Sequence, residues 1–136
     1  MATYNKFNAF VEVLAEKGHN LGADALTVAL TNSAPAAGNS VLADITEVSY
    51  TNLSSRVLVQ SSSSQTSGTY KLVIADLVLT SSGGTTGPFR YVVIYNDTAT
   101  NNELVAWYDY GSSITLADGE TLTLDFSPST GLLTIT

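Results

Sequence analysis

The chain contains no cysteine, which excludes disulfides and thiolate metal sites. Cationic side chains are scarce: five Lys and Arg stand against twelve Asp and Glu, for a net charge of −7. A protein that tracks a nucleic-acid backbone needs clustered cations, so nucleic acid is not an expected partner. Histidine occurs once, at position 19, and there is no HExxH motif, so nothing suggests zinc. No GxSxG elbow is present to present a nucleophilic serine. The glycines of SSGGTTG (81–87) come without a lysine and without a following helical pattern, so they do not make a phosphate loop. Asp118, Glu120 and Asp125 do not have EF-hand spacing. A carboxylate pair for glycoside hydrolysis would meet only in three dimensions, and no motif supports one. No apolar run approaches the roughly 20 residues of a membrane helix. MATYNKFNAF has no signal-peptide pattern. The expectation is a soluble protein made in the cytosol, with no cofactor, no metal and no enzymatic activity.

What the chain does contain is β-forming composition: abundant Thr, Ser, Val, Leu and Tyr with only 12% charged residues. At 136 residues a single domain, 1–136, is expected. TYNKFNAFVEVLAEK (3–17) carries the one helical pattern. Tyr4, Phe7, Phe10, Val11 and Leu14 recur at spacings of three and four and share a face. Thr3 suits the N-cap, and Gly18 sits where a left-handed C-cap residue belongs. A helix this short is marginal alone in water and must dock, either on its own domain or on a partner subunit.

From about residue 24 to 136 the period changes to two, as in a β-sandwich. ALTVALTN (25–32) alternates as a half-buried strand. Residues 42–60 supply two short strands, and SSSSQTSG (61–68) reads as a polar loop or hairpin tip. TYKLVIADLVLTSSGG gives a long strand in which Asp76 marks a bulge. GGTTGP (83–88) is a turn. Residues 89–95 and 103–110 pair across TATNNE. Asp118–Gly119 is a tight turn between 114–116 and 121–126, and LLTIT is the last strand. Eight or nine short strands at regular spacing predict an all-β fold: an antiparallel sandwich or jelly-roll-like domain with one N-terminal helix.

In GPFRYVVIYND, alternation puts Phe89, Tyr91, Val93 and Tyr95 on one face and Arg90, Val92 and Ile94 on the other. Both faces are apolar, so the strand should be covered twice, by the N-terminal helix or by another subunit. Arg90 suits a rim ion pair or an aromatic stack. In ELVAWYDYG, Val105 and Trp107 share one face and Leu104, Ala106, Tyr108 and Tyr110 the other. The aromatic density of these two strands fits a core with phenolic edges, a protein interface or a sugar platform.

Three segments, HNLGADALTVALTNSAP (19–35), LADITEVSYTNLSSR (42–56) and residues 87–126, lie behind the KFNAFVEVLAE helix. Together they resemble small virion structural proteins of tailed bacteriophages, cyanophages among them. That resemblance implies a capsid decoration, or cement, protein: a β-rich module bound as a dimer or trimer to the outside of the major-capsid lattice. Localisation would be the capsid surface, after synthesis in the host cytoplasm. The interface residues expected on this view are Tyr4, Phe7, Phe10, Val11, Leu14, Arg90, Tyr91, Trp107 and Tyr108. The alternatives are a tail-tube, connector or fibre-associated virion protein, or a carbohydrate-binding module on the virion surface.

Overall fold

The two longest aromatic runs pair with each other, and the rest of the fold is arranged around them. In the computed structural model, which describes residues 2–136, they are β6 (Thr86–Asn96) and β7 (Leu104–Leu116). β1 (Thr3–Lys6) pairs with the outer side of β7, and β2 (Leu26–Thr31) with the outer side of β6. The first sheet therefore runs β1-β7-β6-β2, all antiparallel. The facing layer has two parts. One is β3 (Gln60–Thr66), β4 (Thr69–Ile74) and β9 (Leu133–Ile135), in the order β3-β4-β9. The other is the pair β5 (Leu77–Thr80) and β8 (Thr121–Leu124). Helix α1 (Ala9–Ala15) is the one α-helix among the described residues. The fold is thus all-β and sandwich-like, as the periodicity predicts.

The main core fills the space between the layers. Val28, Leu30, Val92 and Ile94 come from the first sheet, and Leu72, Ile74, Leu79 and Phe126 from the second layer. Each such side chain contributes on the order of 2 kcal/mol of apolar burial before entropy is subtracted. A second, smaller core lies on the other face of the first sheet. Ala29, Val93, Tyr95, Leu104 and Trp107 are covered there by Phe7 and by Leu42 and Ile45 of the 41–45 loop. The second face of β6 is therefore covered by the chain's own loop and by Phe7, ahead of the helix, and the helix docks in cis. For the same reason β2 is buried at all six positions and is not half-buried.

Two irregularities in the β6–β7 ladder decide which residues share a face. The register passes from Ile94↔Ala106 to Tyr95↔Leu104 and skips Val105. Beyond this bulge Leu104 falls in with Trp107, while Val105 joins Ala106 and Tyr108 in the main core. At the other end the register jumps from Tyr91↔Asp109 to Phe89↔Ile114. Arg90 faces the extra residues 110–113, among which Gly111 has φ +97°. Phe89 therefore joins Val92 and Ile94, not Tyr91, Val93 and Tyr95. Strict alternation fails at both places because a bulge adds residues to one strand only.

The N-terminal region departs most from expectation. Residues 3–6 are strand, not helix, because Thr3 to Lys6 complete the ladder on β7 from Asp109 to Ala106. The helix is only Ala9–Ala15, and Asn8 occupies its N-cap, not Thr3. The left-handed residue at its end is Lys17 (φ +68°), not Gly18. Gly18 is needed for another reason: a Cβ there would sit 2.3 Å from Val13 Cγ1. Elsewhere, SSSSQT forms β3 despite weak β propensity, because its backbone pairs along β4, and the tip of that hairpin is Ser67–Gly68. Residues 42–60 hold a 3₁₀ turn (Leu42–Asp44) and isolated bridges in place of two strands. At Ala75–Asp76 the long run breaks into β4 and β5. GGTTGP is a turn only in part, since β6 already begins at Thr86. The Asp118–Gly119 turn hands β8 to β5, not back to β7.

Candidate functional site

One side of the sandwich is closed by backbone and the other is not. Residues 53–60 run between the layers as a zipper. On the first-sheet side the N–H of Val28 donates to the C=O of Arg56, and that of Leu58 to the C=O of Leu26, both at 2.9 Å. On the other side Ala75 N–H donates to Val59 C=O (2.8 Å) and Ser54 N–H to Thr80 C=O (2.9 Å). Tyr50 pins the loop ahead of the zipper. Its hydroxyl accepts from Leu30 N–H (2.9 Å) and donates to Glu47 (2.8 Å), and the Arg56 guanidinium lies 3.7 Å over its ring. Burial drives the Tyr50 hydroxyl far above the ordinary tyrosine range.

On the opposite side the layers end in β1 and β8, which do not pair with each other. Between them lies an open cleft of about 660 Å³. Its base is apolar: Phe89, Val92, Phe126 and Leu132 are all nearly fully buried. A row of aromatic rings crosses it. Tyr4 meets Tyr108 edge-to-face at 5.4 Å, and Tyr108 meets Phe126 at 6.2 Å. Tyr110 stands half exposed at the mouth. Burial pushes the Tyr108 hydroxyl up to about 12, so it stays protonated and can donate a hydrogen bond. Among the described residues Asp125 is the only charged one of the lining.

The residues expected at an interface scatter among three settings. Tyr4 and Tyr108 come together in the cleft. Phe7 and Trp107 stack at 4.5 Å inside the second core, against which Tyr91 also packs, and Phe10 and Leu14 belong to the main core. Val11 is 51% exposed on the outer side of the helix. Arg90 makes a two-point pair with Asp109, Nε–Oδ1 at 2.8 Å and Nη2–Oδ2 at 3.0 Å, with the Tyr91 ring 5.3 Å away. The guanidinium and the Gly111 N–H hold the Asp109 carboxyl below the usual carboxylate range. Arg90 is thus a rim ion pair. Sequence reading missed Phe126, Ile114, Leu122 and Leu124 as neighbours of Tyr4. The alternation of TLTLDF was visible, but not that it would lie across the cleft from β1.

His19 is the chain's one histidine, and it is buried in a polar knot. Its Nδ1 lies 3.0 Å from Asn96 Nδ2, which also donates to Asp24 Oδ2 at 2.6 Å. Nδ1 is therefore the acceptor and Nε2 carries the proton, with no partner. Phe10 packs on the ring at 5.1 Å. Burial lowers the His19 pKa, against the opposing pull of Glu103 and Asp24. With 4% exposure this imidazole ties the 19–24 loop to the end of β6. Asp118 likewise serves the fold, accepting from Gly83 N–H at 2.8 Å. Among the described residues no three His, Asp or Glu side chains are grouped to hold a metal ion.

Comparison of the chain with protein-family models, with curated proteins and with solved structures finds no match.

Proposed function

We propose that this protein is a structural component of a tailed-phage virion, a decoration protein that binds the outside of the capsid and stabilises the shell without catalysis. The sequence resemblance supplies the setting. The observation that carries the reading is the distribution of exposed apolar surface on an acidic domain. Tyr4 and Tyr110 are exposed at the open cleft, while Val57 and Val59 on the zipper and Val78 on the neighbouring β5 are exposed on the closed side. Two separate apolar regions suit a module that touches two kinds of neighbour, its own copies and the lattice beneath. A protein that binds only the assembled shell stabilises it by mass action, and repeated contacts on a symmetric lattice add avidity.

The test is the native mass across a concentration series, followed by co-sedimentation with empty capsid shells. A dimer or trimer that sediments with shells and raises their disruption temperature is the expected result. Rings or stacked tubes would move the protein to the tail. A strict monomer that ignores shells and binds a glycan in a saturable way would replace the reading with that of a carbohydrate module.

A further inference from the structure

We propose that the open side of the sandwich is a strand-acceptor site, in which β8 takes up an extended segment of another protein as an added strand. The segment would be apolar at alternate positions and would carry Lys or Arg.

The backbone of β8 is the first argument. β8 pairs with β5 through Leu77↔Leu124, Val78↔Thr123, Leu79↔Leu122 and Thr80↔Thr121. The bond from Ser81 N–H to Glu120 C=O (3.0 Å) continues this register and sets its phase. Antiparallel pairs alternate between hydrogen-bonded and non-bonded, so the bonded pairs are 79/122 and 77/124. The N–H and C=O groups of Thr121 and Thr123 therefore turn away from β5. Among the described residues no backbone group pairs with them. An unpaired edge is a template for one more strand.

The cleft is the second argument. Consecutive residues 122–125 all line it, so β8 presents its edge to the cleft and not one face. An extended segment along four residues of β8 would run about 13 Å at 3.3 Å per residue. Its alternate side chains would drop onto Phe89, Val92 and Phe126, with Tyr4 and Tyr108 as the far wall. It would do on this side what residues 53–60 do on the other.

Charge selects the occupant. Among the described residues the lining holds one carboxylate, Asp125, and no cationic side chain. The whole chain carries −7, so a second copy would bring like charge to the contact. A segment of a different protein that carries Lys or Arg meets no such opposition. The inference concerns the acceptor edge itself and does not require that the donor be a capsid protein.

The experiment supplies a donor strand in cis. The full chain is extended at its C-terminus by a flexible Gly/Ser linker and the segment Lys-Val-Thr-Val-Thr-Val-Lys. Such tethering gives an effective concentration on the order of millimolar, so weak pairing registers. Amide exchange at Thr121 and Thr123 should slow at least tenfold relative to the untethered chain. A tethered control with proline at alternate positions, which leaves the domain itself unaltered, should give no slowing. Replacing both Lys by Glu should reduce the protection. No protection from the Val/Thr strand overturns the proposal. Equal protection from the proline control overturns it too, since the cleft would then be filled by side chains without edge pairing. Shell binding is a separate measurement, so failure of the decoration reading would leave this result intact.

Discussion

The two sides of the sandwich are built from similar residues and end differently. On the closed side Leu58 is buried, and its backbone and that of its neighbours bond to β2 in one direction and to β4 and β5 in the other. On the open side Leu122 and Leu124 are only half-buried, and the edge beside them has no backbone partner. Both stretches bring leucines to the core, Leu58 from LSSRVLVQ and Leu122 and Leu124 from the alternating TLTL. The difference comes from chain connectivity. Residues 53–60 leave the first sheet and enter the second layer, so they can bond to both, whereas β1 and β8 arrive from opposite ends of the chain and stop at the cleft. Apolar patterning alone does not close a sandwich; a strand that belongs to both layers does.

The largest expected effect of breaking this contrast is at the zipper. Leu58→Ala should lower stability by about 2–5 kcal/mol, the usual range for a buried leucine. Leu122→Ala, at the cleft, should lower it by about 1 kcal/mol, because half of that side chain already meets water. Urea denaturation of the two variants checks the ranking, and equal losses would erase the distinction between the sides. Tyr4→Ala should cost about 1 kcal/mol, the value of one edge-to-face aromatic pair, and leave the fold intact by circular dichroism.

A pH effect belongs to neither side and comes from the polar knot around His19. His19 has its folded pKa lowered by burial from the ordinary 6.5. The unfolded chain therefore takes up the proton first as pH falls. Stability from this residue is full above about pH 6.5 and declines as pH drops below it, until the folded pKa is passed. The urea midpoint should fall between pH 7.5 and pH 5, and His19→Gln should flatten that part of the profile. A slope unchanged by the substitution would remove His19 as the source of the effect. Smallest of all should be Arg90→Ala. Its pair with Asp109 sits in solvent at the rim, so the denaturation midpoint should move little and should become insensitive to added salt at that site.

Period-two alternation and turn residues made the class of fold legible, and the pairing of residues 89–95 with 103–110 along with it. Alternation broke down at Val105 and at 110–113, because a bulge is a property of two strands in register and one strand does not display it. Tyr4 misled because a spacing of three from Phe7 fits a helix. The ladder offered by β7 from Ala106 to Asp109 took residues 3–6 as a strand instead. SSSSQTSG, read as a polar loop or hairpin tip, does hold the tip at Ser67–Gly68, but SSSSQT itself is a strand, since its side chains say loop and only the neighbouring β4 pairs it. Of the candidate site, the aromatic members Tyr4 and Tyr108 were legible as an unusual concentration of rings. The acceptor edge was not, because an unpaired N–H is defined by the absence of a neighbour in space.

The asymmetry between the two sides is tested most directly by native-state amide hydrogen exchange on the untethered protein, followed residue by residue at several concentrations. The amides of Val28, Leu58 and Ala75 should exchange slowly, near the rate of global unfolding, while those of Thr121 and Thr123 should exchange close to the unprotected rate at low concentration. Protection at Thr121 and Thr123 equal to that of the zipper at every concentration would mean that the β8 edge is already satisfied, and would contradict the account.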